Sequence, residues 1–263
     1  MQLNRQRVSE HFPRVATVHG SAYTHATPVG HLLTTRLDRV AELLGGLQAA
    51  QVLDVGCGPG MVAGQLLESG CTYYGVDLTI ETLYECRARL GHSSRAHCDV
   101  AEAEHLPFSD HSFQTVLALG VLEYVSDLDA AVHEMSRVLV ADGTVILSMQ
   151  NAFSPYRLWQ RYGYHNRLLF GLLRFLARRA GPGPLLETAS SFRHIRTVLE
   201  HHRFEVVDVV FYDFNLWVEP LDRFFPRLSI ATSRRLEWLR RSPLRGLGSG
   251  FIVKAKLHQE PSQ

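Results

Sequence analysis

Apolar and polar positions along the middle of the chain follow two alternating patterns. Short, nearly continuous apolar runs indicate buried strands at 51–55, 72–76, 95–98, 115–119 and 144–149. Between them, apolar residues at helical spacing predict helices at 61–68, 80–90 and 128–140. Strands that alternate with helices are typical of a doubly wound, mostly parallel sheet with helices on both faces. We therefore predict an α/β fold of this kind.

The same patterns divide the chain into parts. A helical pattern before the first strand ends at Gly45 and Gly46, and the alternation stops after Gln150. It returns with a helix at 192–202 and strands at 205–211 and 250–257, which completes seven strands. The predicted parts are an N-terminal helical lid at 1–50, a core at 51–150, a helical basic cap at 151–190, and a C-terminal part of the core at 191–263 with a second insertion at 213–245.

Composition places the chain among ordinary globular proteins. It has 263 residues, is 46% hydrophobic and has a formal net charge of +1. No apolar run reaches the roughly 18 residues that a membrane-spanning helix needs, and the first ten residues lack the apolar core of a signal peptide. The four cysteines form no CxxC pair, and no His, Asp and Glu cluster has metal-ligand spacing. We expect a reduced, cytoplasmic protein without a metal site.

Charge is distributed unevenly between the two halves. Residues 1–150 contain nine Arg and seventeen acids, whereas residues 151–263 contain eighteen Lys or Arg and nine acids. The basic residues of the second half are mixed with aromatic ones at 156–179 and 223–241. Such amphipathic helices form a helical cap, a pocket for a hydrophobic or anionic acceptor, or a peripheral contact with a membrane surface. Because the aromatic residues look core-directed and no nucleic-acid module is present, we expect no nucleic-acid partner.

The most informative stretch is VLDVGCGPG at 52–60, where a buried strand runs into a glycine-rich turn. Gly56 and Gly58 allow positive φ and a close approach of ligand to backbone. Asp77 follows twenty-one residues after Gly56, at the end of the next strand, where an acid can accept hydrogen bonds from ribose hydroxyls. A dinucleotide would place its pyrophosphate beside Asp54 and be repelled, whereas the sulfonium and ammonium of S-adenosylmethionine would be attracted. The cationic cofactor is therefore favoured over a nicotinamide dinucleotide.

Five segments in order resemble the motifs of the Rossmann-like, class I S-adenosylmethionine-dependent methyltransferases of the small-molecule type. They are VLDVGCGPG, YYGVDL at 73–78, HCDVAEAEHLPF at 97–108, FQTVLALGVLEYVSD at 113–127 and MSRVLVADGTVILSMQN at 135–151. The resemblance covers about residues 50–151, with a weaker echo at 192–210. One departure is Gln114, where the family usually has Asp.

The resemblance implies roles for individual residues. The glycine motif would hold the methionine end, Asp77 the ribose, and Asp99 the adenine amine with Val100 stacked nearby, although Asp99 could instead cap the turn that follows it. Leu119 and Gly120 would flank the methyl donor. The complete set of implied cofactor-binding residues is Asp54, Gly56, Cys57, Gly58, Gly60, Asp77, Leu78, Asp99, Val100, Leu119, Gly120 and, from the lid, Tyr23.

Methyl transfer from a sulfonium needs alignment and sometimes a base, but no nucleophile from the protein. Glu123 and Tyr124 follow the fourth strand, where the family binds acceptors, and are the candidate catalytic residues; alternatively, Glu123 contacts a loop amide. Tyr23 and His25 are candidate lid residues. We expect a methyltransferase for a small, hydrophobic or lipid-linked acceptor, modified at oxygen. The alternatives are a polar metabolite or sugar as acceptor, or a cofactor-binding scaffold without turnover.

Overall fold

The computed structural model describes residue 23 and residues 26–163, 189–218 and 221–258. His25, the first twenty-two residues and most of the predicted cap, at 164–188, lie outside the described residues. The predicted amphipathic helix at 156–179 is therefore described only as far as residue 163.

Seven strands and eight α-helices make up the described part of the chain. The strands are β1 Gln51–Val55, β2 Thr72–Asp77, β3 Ala96–Val100, β4 Phe113–Leu119, β5 Leu139–Gln150, β6 Phe204–Tyr212 and β7 Gly250–Leu257. The helices are α1 Pro28–Leu44, α2 Ala63–Glu68, α3 Ile80–Leu90, α4 Leu128–Val138, α5 Pro155–Leu158, α6 Phe192–His201, α7 Leu221–Phe224 and α8 Pro226–Leu236. A π-helix at Trp159–Gly163 and 3-10 helices at Glu237–Arg241 and Arg245–Leu247 supplement them.

All seven strands form one sheet in the order β3-β2-β1-β4-β5-β7-β6. The pairings of β1 with β2 and β4, of β2 with β3 and of β4 with β5 are parallel, whereas β7 is antiparallel to both β5 and β6. The predicted doubly wound, mostly parallel α/β fold is thus confirmed. The carboxyl ends of all the strands except β7 point to the same edge of the sheet, where ligands bind in folds of this kind.

One predicted boundary is wrong by five residues. The sequence predicts that the helix after β4 reaches residue 140 and that the next strand starts at 144, but α4 ends at Val138 and β5 begins at Leu139. Leu139 already pairs with Phe113, and a register shift follows between Phe113 and Thr115. The polar residues Asp142 and Gly143 therefore belong to an irregular part of the strand rather than to a turn before it.

Both faces of the sheet are buried, which explains why its strands appear as continuous apolar runs. Successive residues of β4 alternate between two apolar clusters: Val116 and Ala118 lie in one, and Leu117 lies in the other. All three side chains are fully buried. This alternation is what a pleated strand covered on both faces requires.

Helix α1 begins and ends at clear sequence signals. The Thr27 hydroxyl accepts a hydrogen bond from the Gly30 N–H, Pro28 occupies the first turn, and Gly45 ends the helix with a φ of +42°. The helix packs against β6, β7 and α8. It therefore covers the part of the sheet that the C-terminal strands build.

The second insertion buries serines and exposes its aromatic residues. The buried residues of α8 are Ser229 and Ser233, whose hydroxyls donate to Asn215 and Asp213. The large apolar side chains are 49–70% exposed at Phe224, Phe225, Leu228 and Trp238. The expectation that the aromatic residues point to the core is wrong for these positions, because polar pairs already fill the buried side of the helix. None of the helices described is long and apolar enough to cross a membrane.

Candidate functional site

A cavity of about 430 Å³ lies at the edge of the sheet where its strands end. Its lining includes the last or next-to-last residue of β1, β2, β4, β5 and β6, together with one side of α1. Small-molecule sites typically have volumes of 300–1,000 Å³ and occur at such crevices. The size and position are those of a small-molecule site.

Two glycines shape the turn that enters the cavity. Gly56 has a φ of +68°, and a Cβ there would lie 2.5 Å from the Val121 side chain. Gly58 has a φ of +51°, and a Cβ there would meet nothing within 4 Å. Gly58 therefore needs glycine for its backbone conformation, and the open space beside it admits a ligand. Cys57 lines the cavity between them.

Gly60 has a different role from the other two glycines of the motif. Its φ is +70°, and a Cβ there would lie 2.6 Å from Cys86 Sγ on α3. Gly60 is buried and is not among the residues that line the cavity. It allows the turn to pack against α3, so its predicted contact with the cofactor has no support from the cavity lining.

Asp77 ties two loops together at the end of β2. Its Oδ2 accepts a hydrogen bond from the Gly58 N–H at 3.0 Å, and its Oδ1 accepts one from the Thr79 N–H at 2.9 Å. Burial raises the pKa of Asp77, while the hydrogen bonds act to lower it. Asp77 and Leu78 line both the main cavity and a smaller hollow of about 80 Å³ beside it. The predicted ribose-binding acid thus lies in the cavity wall.

Asp54 is a buried carboxylate in the cavity wall. It is 3% exposed, and its Oδ2 accepts a hydrogen bond from the Tyr73 hydroxyl at 2.8 Å. Burial raises its pKa to about 7, and the negative charge of Asp77 adds to the effect. A cation bound in the cavity would favour the ionised form. The predicted attraction of Asp54 for a sulfonium or ammonium is therefore compatible with its surroundings.

Arg36 on α1 is a cavity residue that the sequence patterns did not identify. Its Nη2 donates a hydrogen bond to the Tyr23 hydroxyl at 3.0 Å, and its guanidinium lies against Gly120, where a Cβ would collide with Nη1. Burial acts to lower the pKa of Arg36, but Tyr23, Tyr212 and Glu123 outweigh it and raise that pKa, so the group stays charged. The position of Arg36 in the apolar pattern of α1 is the sequence signal that could have identified it as a candidate.

The placement of Arg36 in the helix pattern is unusual for a charged residue. Arg36 lies three residues after Leu33 and four before Val40, and both of these are buried. It therefore occupies the apolar stripe of α1 rather than the solvent-facing side. A charge inside such a stripe indicates either a buried partner or a ligand.

Both candidate catalytic residues line the cavity. Glu123 is 3% exposed, and its Oε1 accepts a hydrogen bond from the Gln150 N–H at 3.0 Å. Glu123 therefore makes the contact with a backbone amide that was its alternative role, and the amide belongs to the last residue of β5. Tyr124 lines both the main cavity and the smaller hollow. Their part in catalysis stays a prediction.

The end of β6 supplies the far wall of the cavity. Tyr212 is 2% exposed, and a Cβ at Gly250 would lie 2.6 Å from its hydroxyl oxygen, so its ring crosses β7. Burial is the main cause that raises the pKa of Tyr212, which keeps the phenol neutral. Asp213 is 4% exposed, accepts a hydrogen bond from the Ser233 hydroxyl at 3.1 Å, and has a pKa that burial raises to about 6. Neither residue was a candidate from the sequence.

Not all predicted cofactor residues come together in the cavity. Leu119, Gly120 and Tyr23 line the cavity, and the Tyr23 hydroxyl accepts a hydrogen bond from Arg36. Asp99 and Val100 are exposed at the end of β3 and line neither cavity, and Asp99 Oδ1 accepts a hydrogen bond from the Val100 N–H at 2.8 Å. Their predicted contact with adenine has no support from the cavity lining.

The donors and acceptors of the cavity fit S-adenosylmethionine. Asp54 provides a negative group for the sulfonium or ammonium, and Asp77 provides carboxylate oxygens for ribose hydroxyls. Arg36 provides a cation for the carboxylate of the methionine end. Gly58 leaves room for the ligand to approach the backbone. A pyrophosphate, in contrast, would lie beside Asp54. Fold and cavity thus define a Rossmann-like, cofactor-binding α/β domain.

Sequence comparisons agree with this assignment. Residues 53–147 match the family described as methyltransferase domain. A ubiquinone biosynthesis O-methyltransferase of Alkalilimnicola ehrlichii is 36% identical over 129 residues, which are 47% of this chain and 51% of that protein. Methyltransferase GfsG of Streptomyces halstedii is 35% identical over 102 residues, 37% of each chain. The chain thus spans about half the length, or less, of the curated relatives that it matches.

Solved structures with the same fold cover more of the chain. A methyltransferase from Thermotoga maritima, described as a possible histamine N-methyltransferase, aligns with a TM-score of 0.62 and 17% identity over 94% of this chain and 98% of its own. The [4+2]-cyclase SpnF aligns with a TM-score of 0.61 and 17% identity over 97% of this chain and 96% of its own. At such identities the likeness concerns the fold alone.

The chain contains a class I S-adenosylmethionine-dependent methyltransferase domain, and S-adenosylmethionine is the cofactor of this class. The predicted family, fold and cofactor are confirmed. The fold does not by itself determine the reaction, since one of its structural neighbours is described as a cyclase.

Proposed function

We propose that this chain transfers a methyl group from S-adenosylmethionine to a hydroxyl oxygen of a small, hydrophobic acceptor. The observation that supports it is one continuous cavity, whose lining includes the cofactor-compatible acids Asp54 and Asp77 and also Glu123, Tyr212 and Asp213. The choice of oxygen rests on the relatives, several of which are named ubiquinone biosynthesis O-methyltransferases. Because only about half of those proteins is matched, their substrate is not transferred to this chain.

The apolar part of the cavity wall supports a hydrophobic acceptor. One side is formed by α1, through residues that include Leu32, Leu33 and Leu37. Leu119 and Val121 line the cavity beside the end of β4. Apolar walls with a few polar groups at fixed positions are the usual design of small-molecule sites. An acceptor with an apolar body and a reactive hydroxyl would match both kinds of lining.

S-adenosylmethionine, when bound, supplies an activated methyl group, so the chain has to align the acceptor and exclude water. In our proposal Arg36 and Asp54 orient the charged groups of the cofactor. Glu123 accepts the hydrogen bond of the acceptor hydroxyl and takes its proton during the transfer. The Tyr212 hydroxyl, which stays neutral, donates a hydrogen bond to the acceptor.

A labelling experiment tests the proposed activity. Purified protein is incubated with methyl-labelled S-adenosylmethionine and an unfractionated cell extract, and the products are partitioned between organic solvent and water. The proposal expects protein-dependent label in the organic phase, which alkaline hydrolysis does not release as methanol, as expected for an ether. Label in the aqueous phase would favour a polar metabolite or sugar. Tight binding of S-adenosylhomocysteine without any labelled product would favour a scaffold without turnover.

We also propose that the acceptor reaches the protein at a membrane surface. The support lies in the second insertion, where Phe224, Phe225 and Trp238 are 49–70% exposed beside the exposed arginines Arg227 and Arg235. Aromatic residues mixed with basic ones suit the interface of an anionic lipid bilayer. The protein would then meet a lipid-linked acceptor at the bilayer rather than in water.

A further inference from the structure

Helices α4 and α6 bring together three side chains of the types that bind metal ions. The three residues lie on the protein surface and are far from the glycine turn in sequence. Asp129 lies in the first turn of α4, and His201 and His202 lie at the end of α6. One ligand atom from each of the three residues lies within 4.8 Å of the others. The closest pair is His202 Nε2 and Asp129 Oδ1, at 3.0 Å. Within the part of the chain that the structure describes, this is the group with a geometry suited to a metal ion.

A third imidazole lies next to this group. His133 follows Asp129 by one helical turn, so both side chains lie on the same face of α4. The ring centroids of His133 and His202 are 5.7 Å apart, and those of His201 and His202 are 5.1 Å apart. His133 therefore lies beside the group, next to His202, on the same patch of surface.

The donor set selects a class of metal ion. Two or three imidazole nitrogens and one carboxylate oxygen suit zinc and neighbouring divalent transition metals, whereas magnesium and calcium prefer oxygen ligands throughout. Three protein ligands leave a position for water, and His133 is the neighbouring imidazole that a small movement would have to bring in as a fourth ligand. Structural zinc sites are usually tetrahedral, with four such ligands.

We propose that Asp129, His201 and His202, with His133 at their side, bind a zinc-class divalent ion that joins α4 to α6. The two helices already pack together, and both contribute buried residues to the same apolar cluster, Met135 from α4 and Leu199 from α6. An ion bound at the surface would hold the exposed ends of this contact. The proposal does not depend on the methyl acceptor.

A simpler arrangement would explain part of the geometry. An acid in the first turn of a helix and histidines in the last turn are both favoured by the helix dipole, and His202 with Asp129 would then be an ion pair alone. That arrangement needs only one imidazole, and it leaves the approach of His201 to the same carboxylate unexplained. A metal ion keeps all the rings neutral. The two explanations predict different responses to added metal.

Thermal unfolding of the full chain distinguishes them. The protein is first stripped with a chelator, and the midpoint Tm is then measured with and without Zn²⁺. At a zinc concentration about one hundred times the Kd, we expect Tm to rise by roughly 5–10 °C. Asp129→Ala and His202→Ala should each lose most of this rise. His194→Ala removes an exposed histidine of α6 outside the cluster and should keep it.

Cobalt provides a second readout that does not depend on stability. Co²⁺ bound by imidazoles in a low-coordinate site absorbs visible light, so titration of the stripped protein should produce a band that His202→Ala lacks and His194→Ala retains. If His202→Ala does not fold, Asp129→Ala is used instead, because its side chain is 62% exposed. Absence of a zinc-dependent rise in the wild type, or an equal rise in all variants, would overturn the proposal and leave the ion pair as the explanation.

Discussion

The backbone N–H of Gly58 donates a 3.0 Å hydrogen bond to the side chain of Asp77, so the acid of β2 holds the glycine turn of β1. Its other oxygen accepts from the Thr79 N–H. Asp77 therefore has two tasks in the cavity wall, since it fixes the shape of the turn and also faces the space where a ribose would lie. A change at this position affects both tasks together.

Asp77→Ala should weaken the binding of S-adenosylhomocysteine by about 1–3 kcal/mol, the range for hydrogen-bonding groups that are left without their partner. Isothermal titration calorimetry measures this change. The exposed acid Asp38 on α1 offers the matched control, because Asp38→Ala removes a carboxylate outside the cavity lining. Unchanged affinity in Asp77→Ala would show that the ribose lies elsewhere.

Asp54 leads to a prediction about pH. Because burial raises its pKa to about 7, the ionised form that attracts a cation becomes dominant only above that pH. The affinity for S-adenosylmethionine should therefore increase from pH 6 to pH 8 and then level off. In Asp54→Asn this increase should disappear and the affinity should be low throughout. A wild-type affinity that is constant over this range would contradict the proposed role of Asp54.

The same carboxyl affects the free energy of unfolding in the opposite direction. Its pKa is higher in the folded state than in the unfolded one, so folding binds a proton, and stability falls as pH rises from about 4 to about 7. Without cofactor, Asp54→Asn should be more stable than the wild type at pH 8, by up to about 4 kcal/mol. At pH 4 the two should be nearly equal. Urea unfolding at both pH values measures the difference.

Arg36→Gln should weaken S-adenosylhomocysteine binding by about 1.5–3 kcal/mol, as expected when a hydrogen bond to a charged group is lost. Arg39→Gln is the matched control, since Arg39 lies on the same helix but pairs with Glu42 outside the cavity lining. Equal affinities in the wild type and Arg36→Gln would mean that the guanidinium only supports Tyr23 and its neighbours.

The sequence predicted the strand, the glycine turn and the two acids that line the cavity, Asp54 and Asp77, but neither Arg36 nor Tyr212. Asp54 lies in a short, mostly apolar run before three glycines, so its fold and chemistry depend on neighbours in sequence. Tyr212 reaches the cavity only because Gly250, thirty-eight residues later, leaves room for its ring. Such a contact arises from tertiary packing between β6 and β7. No local periodicity predicts it.

Separation in sequence also explains why the sequence did not predict the contacts of Arg36 and of Asp129. Arg36 is separated from Gly120, the residue it packs against, by eighty-four positions. Asp129 and His202 are separated by seventy-three. Asp and His are ordinary residue types for a helix surface, whereas Arg36 differs only by its position in the apolar stripe of α1. The two residues of each pair come together only because α1 packs over the sheet and α6 packs beside α4.

Tyr212→Phe tests whether the far wall binds the acceptor. Loss of one neutral hydrogen bond should lower kcat/KM for the acceptor by roughly 2- to 12-fold. The affinity for S-adenosylhomocysteine should change much less, because Tyr212 is neutral and the charged groups of the cofactor are bound by Asp54, Asp77 and Arg36 in our proposal. Tyr84→Phe serves as control, since Tyr84 is 60% exposed on α3. Equal kcat/KM values for the wild type and Tyr212→Phe would remove this residue from the acceptor site.

The exposed aromatic residues of the second insertion provide a test of membrane contact. Wild-type protein should sediment with phosphatidylglycerol vesicles and much less with phosphatidylcholine vesicles, because each arginine near an anionic surface contributes about 1 kcal/mol. High salt should weaken the binding through screening. The double substitution Phe224→Ala and Phe225→Ala should reduce the partition coefficient by roughly 10-fold or more, since it removes two apolar groups from the interface. Tyr84→Ala, on another part of the surface, should leave it unchanged. Failure of the wild type to bind phosphatidylglycerol vesicles at low salt would exclude the membrane surface, and the acceptor would then have to reach the cavity from water.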